Sequence, residues 1–398
     1  MKHIEERARK LKAERREPLC AYVYDLAALR THVMGVMAAL PPRTRFFYAV
    51  KANSEAPILR ALAPLVHGFE VASAGELEKV RAVAPDAPVL FGGPGKTESE
   101  LDRAVELGVM LLHVESLTEL RRVERVGRRR GVRVPVLLRV NLREALPAAT
   151  LQMGGAPTQF GIDETDVPAA ITLACRSPHV DLRGFHFHSI SNDLDARAHA
   201  ELVRAYLERV RTWARQFDLR PTWVNAGGGI GVNYADLERQ FDWETFTRLV
   251  AEARRDEPAD APTLLFECGR FVTAACGYYA VEVLDLKRNH GRDYAIVRGG
   301  SHHFRLPSSW QHSHPFAVVP VEDWPHDFER PEMRDGRLQV VGQLCTPKDV
   351  LAKDAPIERV RVGDILLFRY AGAYGWAISH HDFLSHPHPE HIFLEPGE

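Results

Sequence analysis

The sequence predicts an α/β protein in which a (β/α)8 barrel is followed by a second domain of β structure. Between Arg45 and Arg270, eight short apolar runs alternate with longer stretches of helical period, which is typical of repeated βα units and a parallel sheet. Eight such units in about 230 residues fit a closed barrel, whose active site lies at the carboxyl ends of the strands. After Arg270, alternating apolar and polar runs replace the helical period and indicate a β-barrel or sandwich.

Each predicted barrel strand is a short segment rich in β-branched and aromatic residues. The eight segments are residues 44–50, 67–72, 87–92, 109–114, 134–140, 182–188, 222–227 and 263–268. Beyond the barrel, the clearest predicted strands are 278–286, 293–298, 337–344 and 364–370, and segment 19–26 (LCAYVYDL) has the same character. We therefore expect residues 27–275 to form the barrel, and residues 1–26 with 276–398 to form the second domain. A chain of 398 residues is long enough for two domains.

The composition argues against several classes of protein. It is 45% hydrophobic, 26% charged and 9% aromatic, which is typical of water-soluble globular proteins, and no apolar run is long enough to span a bilayer. The first seventeen residues interleave acids and bases without an apolar stretch, so we expect a cytoplasmic protein. A net charge of −2 predicts a small-molecule partner rather than nucleic acid or a membrane. The five cysteines are widely spaced and fit neither a disulfide framework nor a zinc motif.

A lysine follows the first predicted strand. Lys51 stands in the segment YAVKAN (48–53), where a barrel strand opens onto the active face. Partial desolvation there would lower the pKa of the ammonium group and make the amine available to condense with an aldehyde. On this motif alone, an ordinary lysine at a strand end is equally consistent.

The seventh and eighth predicted strands end in residues suited to an anionic cofactor. The glycine loop, Gly227, Gly228 and Gly229, has little bulk and can bring backbone N–H groups close to a phosphate. Glu267 lies at the end of the eighth strand, and Arg270 follows it. A glutamate beside a pyridine nitrogen keeps it protonated, and an arginine can donate to phosphate; a buried Glu–Arg ion pair is the alternative. Neither this loop nor segment 95–97 (GKT) matches a nucleotide-binding fingerprint.

The sixth predicted strand ends in FHFHSIS (185–191). Alternation places His186 and His188 on one side of the strand, with His188 able to stack on a cofactor ring and Ser191 able to reach a phosphate. Two histidines two residues apart could instead bind a metal. No acidic third ligand stands at a recognisable spacing, so we predict no metal.

The second domain contributes two further motifs, GQLCTPKD (342–349) and AGAY (371–374). Taken singly they are weak, because a lone cysteine after an apolar strand is more often a small core residue than a catalyst. Together and in this order, all of these motifs resemble those of the fold-type III pyridoxal-phosphate (PLP) decarboxylases. That group includes the diaminopimelate, ornithine and arginine decarboxylases, which share an alanine-racemase-like barrel. The resemblance extends from YVYDL at residue 22 nearly to the last residue.

The resemblance implies a PLP-dependent amino-acid decarboxylase and gives each matching residue a role. In the barrel, it implies that Lys51 bears PLP, His188 stacks on the ring, Glu267 meets the pyridine nitrogen, and Gly227 to Gly229 with Arg270 hold the phosphate. In the second domain it implies that Cys345 protonates the product, Asp349 helps to bind substrate, and Tyr374 lies near the phosphate. Because the family's cysteine and aspartate reach a partner subunit's active site, the resemblance implies a homodimer with shared sites.

Three departures from the family pattern stand out. Cys268 replaces a proline after Glu267, and Ile190 replaces a glycine beside Ser191. Thr346 follows Cys345, where ornithine and diaminopimelate decarboxylases carry an acidic residue that meets the charged far end of the substrate.

The residues near Thr346 in the second domain are basic or neutral donors. Segment 299–316 resembles the second domain of decarboxylases from citrate-based siderophore pathways, the staphyloferrin B type, which act on citryl-diaminopropionate. The carboxylates of a citryl group suit Arg, Lys and His donors. The predicted substrate-binding residues are His302, His303, Arg305, Thr346, Lys348 and Asp349.

Several alternatives stay open at this point. The chain could be a diaminopimelate or ornithine/lysine decarboxylase, an amino-acid racemase, or a PLP-binding protein without catalysis. In alanine racemases an arginine faces the pyridine nitrogen and a tyrosine is the second base, whereas Glu267 and Cys345 indicate decarboxylation. The remaining histidines of the last residues, from His380 to His391, are interpreted as solvated or structural.

Overall fold

The computed structural model describes residues 1–143, 151–152 and 157–397, which form two compact units. The barrel unit comprises Arg30–Asn233 and Glu238–Val272. The β unit comprises Met1–Leu29, Tyr234–Leu237 and the residues from Thr273 onward. No helix in the described ranges is both long and apolar enough to cross a lipid bilayer.

Eight parallel strands close into a ring in the barrel unit, which confirms the predicted fold class. They are β1 Thr44–Ala49, β2 Gly68–Val71, β3 Val89–Phe91, β4 Leu111–Val114, β5 Val134–Asn141, β6 Val180–Phe187, β7 Trp223–Asn225 and β8 Thr263–Cys268. Each strand pairs with its neighbours in sequence, and β8 pairs with β1 to close the ring. A short strand, Ile162–Asp163, extends the edge of β5.

Helices follow most of the barrel strands, as the alternating pattern predicts. They are Ala56–Leu62, Ala74–Val83, Glu98–Glu106, Leu117–Arg130, Val167–Arg176, Ala196–Phe217 and Trp243–Ala253, and a further helix, Leu26–Ala38, precedes β1. Several begin at side-chain caps: Ser73 and Ser116 each accept a hydrogen bond from the backbone three residues on, and Thr97 forms a capping box with Glu100. Such caps satisfy backbone N–H groups that have no partner inside the helix, so each helix starts at a defined residue.

The inside of the barrel is a packed apolar layer. Phe47, Leu90, Leu111, Leu137 and Leu265 project from five different strands and are at most 1% exposed. Because this layer fills the barrel, the polar side chains described below lie at the carboxyl ends of the strands.

The β unit is organised around one long strand, Gly277–Asn289. Its first half pairs with Cys20–Asp25 and Ile365–Phe368, and its second half pairs with Arg292–Val297. A register shift between Val283 and Asp285 separates the two halves, as a β-bulge does when a strand passes from one sheet to another. The pairing of Cys20–Asp25 confirms that the N-terminal strand joins this domain.

Four further strands and two helices complete the β unit. The strands are Phe316–Val319, Glu332–Val341, Val350–Arg361 and Glu390–Leu394, and the helices are Lys2–Ala13 and Leu306–Trp310. Phe316–Val319, Val350–Arg361 and Glu390–Leu394 were absent from the predicted strands. Val350–Arg361 carries Pro356 and a left-handed Asp354, which hide its strand character because both residue types are depleted in strands.

The helix Lys2–Ala13 supplies part of the core of the β unit. Ile4, Ala8 and Leu11 are buried on one face, at the spacing expected of an amphipathic helix. They pack with residues from five strands and with Leu19, which precedes the first of them: Ala21, Val23, Ala280, Val319, Ile365, Leu367 and Leu394.

Replacing Leu11 with alanine should lower the free energy of unfolding of the β unit by about 2–5 kcal/mol, because the cavity left behind adds to the lost apolar burial. The measurement is urea unfolding followed by circular dichroism. The control is Lys10→Ala, where the side chain is 67% exposed and a change within about 0.5 kcal/mol is expected. Equal unfolding midpoints for the two variants would contradict the packing of this helix.

Candidate active site

Lys51 lies at the carboxyl end of β1, in the single helical turn Val50–Ala52. Its Nζ donates a hydrogen bond to Oε2 of Glu70, at 3.1 Å. The Lys51 side chain is 40% exposed and Glu70 is buried. Burial raises the pKa of Glu70, and the Lys51 cation partly offsets this rise. Sequence reasoning missed Glu70, although an acid inside an apolar strand end (GFEV) is a usable signal.

Glu267 lies at the end of β8 with a buried carboxylate. Oε1 accepts a hydrogen bond from Asn225 Nδ2 at 2.6 Å and lies 3.5 Å from His113 Nε2. Oε2 lies 3.3 Å from His186 Nε2. Burial lowers the pKa of both imidazoles well below the usual value for histidine, so both rings are neutral near pH 7. His113 was also missed, although it is the one polar residue of its strand.

The two histidines and Glu267 form the one group of potential metal ligands in the described ranges, with ligand atoms within 4.8 Å of one another. The sequence pattern suggested a different pair, His186 with His188. In the structure His188 follows the end of the strand and contacts the glycine loop. His186 instead lies beside His113 and Glu267, an acidic group that no sequence spacing revealed. The absence of a metal stays a prediction.

His188 contacts the glycine loop through its ring. Nδ1 accepts a hydrogen bond from the N–H of Gly228 at 3.1 Å, and burial lowers the pKa of His188 well below its usual value. The N–H of Gly227 donates to Asn225 Oδ1 at 2.8 Å. Of the three predicted phosphate donors, the N–H groups of Gly227 and Gly228 therefore already donate to protein side chains. In the described part of the chain, the N–H of Gly229 has no such acceptor.

The glycine loop packs too closely for side chains. A Cβ on Gly228 would lie 2.0 Å from the carbonyl oxygen of Glu267, and one on Gly227 would lie 2.4 Å from that of Phe187. Gly227 and Gly229 also have φ values of 70° and 90°, which favour glycine. The loop is a cradle that a Cβ would fill.

Ser191 belongs to a segment that runs beside the glycine loop. Asp193 N donates to Gly229 O, and Gly231 N donates to Asp193 O, both at 2.8 Å. Ser191 is half-buried, and Ile190, in the place of the family's glycine, is 2% exposed. The isoleucine is therefore accommodated in the core beside the loop, and contact of Ser191 with phosphate stays a prediction.

Arg270 begins a short helical turn, Arg270–Thr273, directly after β8, and is 7% exposed. Gly269 precedes it, and a Cβ there would lie 2.8 Å from the Cβ of Ala52. This close approach places the end of β8 beside the turn that carries Lys51. Cys268, in the place of the family's proline, is buried, and burial raises the pKa of its thiol.

The predicted residues of the β unit form a second group. The carboxylate of Asp349, 2% exposed, accepts hydrogen bonds from the N–H groups of Ser301 at 2.6 Å and Leu344 at 2.9 Å. Burial raises the pKa of this carboxyl group. Both oxygens thus brace two loops, which favours a structural role for Asp349; its predicted contact with substrate stays untested.

Four other predicted residues differ in exposure. The rings of His302 and His303 lie 3.7 Å apart between centroids in a tilted arrangement, and both residues are completely buried, which argues against direct contact with substrate. Burial lowers their pKa values to about 4 and about 2. Cys345 is exposed. Tyr374 is half-buried with a φ of 52°, a left-handed conformation that non-glycine residues adopt rarely and often at functional sites.

A cavity of 740 Å³ opens in the β unit, and its lining residues include Leu344 and Thr346, the two sequence neighbours of Cys345. Three cationic side chains line it, Arg305, Lys348 and Lys353, with His312 and His380. No aspartate or glutamate does so among the described residues. The remaining lining residues are Ser301, Pro307, Ser308, Ser309, Gln311, Pro347, Val350 and Phe383. The cavity is thus suited to an anion.

Comparison with known proteins identifies the family. Residues 26–274 match the model described as the pyridoxal-dependent decarboxylase, pyridoxal binding domain. The chain belongs to the pyridoxal-dependent decarboxylases. PLP is therefore its cofactor, and it is an amino-acid decarboxylase.

Relatives in this family resemble nearly the whole chain. The 2-[(L-alanin-3-ylcarbamoyl)methyl]-2-hydroxybutanedioate decarboxylase of Staphylococcus aureus is 48% identical over 95% of this chain and 94% of its own. The diaminopimelate decarboxylase of Pseudomonas aeruginosa is 32% identical over 90% and 83%. The crystal structure of the Helicobacter pylori diaminopimelate decarboxylase with L-lysine superposes with a TM-score of 0.83 at 25% identity, over 96% and 92%.

The end of the barrel fits PLP. A partly exposed amine, Lys51, is available for the aldehyde, and the glycine cradle excludes every Cβ, which suits the close approach of a phosphate. The buried Glu267 carboxylate already receives one hydrogen bond and can serve a protonated ring nitrogen.

Replacing Gly228 with alanine should abolish stoichiometric PLP binding, because the new Cβ would lie 2.0 Å from a backbone oxygen of β8 and the loop would have to move. The measurement is PLP content per chain after purification. Gly95→Ala is the matched control, since nothing lies within 4 Å of its added Cβ. Full PLP content in both variants would show that the cradle is not the cofactor site.

Proposed function

We propose that this chain decarboxylates a citrate-conjugated amino acid, citryl-diaminopropionate, in the biosynthesis of a citrate-based siderophore. The observation that carries this proposal is the cavity of the β unit. Three cationic side chains line it, and no aspartate or glutamate of the described residues does so. A diamine or basic amino acid would be repelled by such a lining, whereas a carboxylate-rich group would be attracted to it.

The 48% identical relative supports the same substrate. The name of its substrate describes a citrate skeleton joined through an amide to the side-chain nitrogen of an L-diaminopropionate. One end of such a molecule is an ordinary α-amino acid, and the other carries carboxylates and a hydroxyl group. The first end requires a PLP site, and the second requires cationic and hydroxyl donors, which Arg305, Lys348 and Thr346 offer.

The barrel residues take the roles that hold and orient the cofactor. Lys51 would hold PLP through its aldehyde carbon, Glu267 would pair with the ring nitrogen, and His188 would stack on the ring. The N–H of Gly229, the guanidinium of Arg270 and the hydroxyl of Ser191 would donate to the phosphate. When bound, PLP takes up the electron pair that remains as CO₂ leaves Cα.

A proton must replace the lost carboxylate at Cα, and we assign its delivery to Cys345 Sγ. The product is then an amine. Cys345 is exposed on the β unit, so it is accessible to a second chain, and we propose a homodimer in which Cys345 of one subunit serves the barrel of the other. We also propose that Tyr374, which has a left-handed conformation, lies near the phosphate.

The substrate is tested by measuring CO₂ release from citryl-diaminopropionate, diaminopimelate, ornithine and lysine. We expect the highest kcat/KM for the citryl compound. Arg305→Ala and Lys348→Ala should each raise KM for it by about 10-fold to 100-fold, since a hydrogen bond to a charged group contributes about 1.5–3 kcal/mol. PLP content should not change.

The control for these variants is Lys287→Ala, an exposed lysine of the same unit outside the cavity, which should leave KM unchanged. Thr346→Asp should weaken the citryl substrate by charge repulsion. A higher kcat/KM for diaminopimelate or ornithine would overturn the siderophore proposal and favour a general decarboxylase.

The shared site is tested by subunit complementation. Lys51→Ala and Cys345→Ala proteins should each be nearly inactive, and mixing them should restore part of the activity, because a heterodimer contains one site with both residues intact. Exchange of subunits is verified with a differently tagged wild-type pair. Verified exchange without recovery of activity would place Cys345 in its own subunit's site or outside the reaction.

A further inference from the structure

Asn225 lies at the end of β7 and is completely buried. Its side-chain amide forms hydrogen bonds with two parts of the cofactor site, the glycine loop and the Glu267 carboxylate. Oδ1 accepts the hydrogen bond from Gly227 N at 2.8 Å, and Nδ2 donates to Glu267 Oε1 at 2.6 Å. Only one orientation of the amide satisfies both contacts, because the reverse would set oxygen against carboxylate and NH₂ against N–H.

The second amide hydrogen of Asn225 faces His113. Asn225 Nδ2 lies 3.3 Å from His113 Nε2, and the ring is neutral because burial lowers its pKa. Its Nε2 therefore accepts, which places the ring proton on Nδ1. An accepting Nε2 cannot also donate to Glu267, although the two atoms are 3.5 Å apart.

The backbone of His113 is fixed independently. Lys96 Nζ donates to His113 O at 2.8 Å and forms an ion pair with Glu119 at 2.7 Å, with a side chain only 2% exposed. The ring of His113 is thus presented to Asn225 from a rigid strand end, and the lysine of the GKT segment acts as a brace rather than a nucleotide ligand.

Among the described residues, Asn225 is therefore the one protein group that donates a hydrogen bond to the Glu267 carboxylate. His186 Nε2 lies 3.3 Å from this carboxylate but does not have the geometry of a hydrogen bond. A buried carboxylate without a donor is strongly disfavoured in its ionised form, whereas a short charge-assisted hydrogen bond stabilises that form.

We propose that Asn225 is a positioning residue that sets both ends of the cofactor site with one amide. Its NH₂ group holds the Glu267 carboxylate in a fixed orientation toward the ring nitrogen, and its carbonyl oxygen holds Gly227, the first residue of the phosphate cradle. The proposal rests on the assignment of Glu267 to the pyridine nitrogen.

Two variants separate the two halves of this role. Asn225→Asp keeps an acceptor for Gly227 but presents a second carboxylate oxygen to Glu267 in place of a donor. Asn225→Leu has similar size and removes both contacts. The first should disturb only recognition of the ring nitrogen, and the second should also disturb the phosphate cradle.

The test measures dissociation constants of PLP and of 1-deaza-PLP, in which CH replaces the ring nitrogen, with the full-length protein stripped of cofactor. Wild type should prefer PLP. Asn225→Asp should lower this preference at least about tenfold while changing the affinity for 1-deaza-PLP little. Asn225→Leu should lose the preference and also bind 1-deaza-PLP more weakly. Glu267→Gln should remove the preference, and adding Asn225→Asp to it should change the ratio no further.

Each other outcome has a distinct meaning. If Asn225→Asp weakens PLP and 1-deaza-PLP by the same factor, Asn225 serves only the loop and the proposal is overturned. If wild type binds both ligands equally, the assignment of Glu267 to the ring nitrogen is wrong, and the proposal for Asn225 fails together with it. The proposed substrate, which is tested by CO₂ release, is not affected by this result. Circular dichroism spectra and melting temperatures identify a variant that fails to fold, and the near-isosteric Asn225→Asp then decides.

Discussion

The close packing of the glycine loop against the ends of β6 and β8 is the constraint on which the barrel site depends. With Gly228 against the carbonyl of Glu267 and Gly227 against that of Phe187, three neighbouring strand ends approach more closely than any side chain would permit. This contact fixes where the Glu267 carboxylate emerges and where the His188 ring lies. It follows from the strand order, because β7 pairs with both β6 and β8, and barrel closure then brings β1 beside β8.

Burial then determines the charge state of the residues around the loop. Desolvation lowers the pKa values of His113, His186 and His188 and keeps their rings neutral. The Arg139 cation lowers all three pKa values further, and the Lys51 cation lowers those of His186 and His188. Arg139 also forms an ion pair with Glu115 at 2.8 Å. Formal charge at the site is therefore concentrated on a few groups, while the imidazoles contribute shape and hydrogen bonding. An active site of this kind can discriminate between a ring nitrogen and a carbon because so few charges compete.

The polar residues of the β unit fall into two groups. One group is buried and forms hydrogen bonds that stabilise the loops, and the other is exposed and lines the cavity. Asp349 belongs to the first group, since both of its oxygens are occupied by backbone donors and glycines at 300 and 342 leave room only for its carboxylate. Arg305 and Lys348 belong to the second group and are exposed. Asp349 accepts its hydrogen bonds from Ser301 and Leu344, which line the same cavity as these cations.

The sequence by itself determined the architecture and the main polar residues of the barrel site. Hydrophobic period separated eight βα units from a β domain, because burial on both faces of a parallel strand leaves an unmistakable apolar run. The same pattern marked Lys51, Glu267 and the glycine loop, since each stands at the carboxyl end of such a run. Only the tertiary structure decided which residues meet them. Glu70, His113 and Asn225 stand on three different strands, so no spacing along the chain could associate them with Lys51 or Glu267. Likewise only the fold showed that His302, His303 and Asp349 are enclosed, because burial depends on what packs around a loop and not on the loop's own residues.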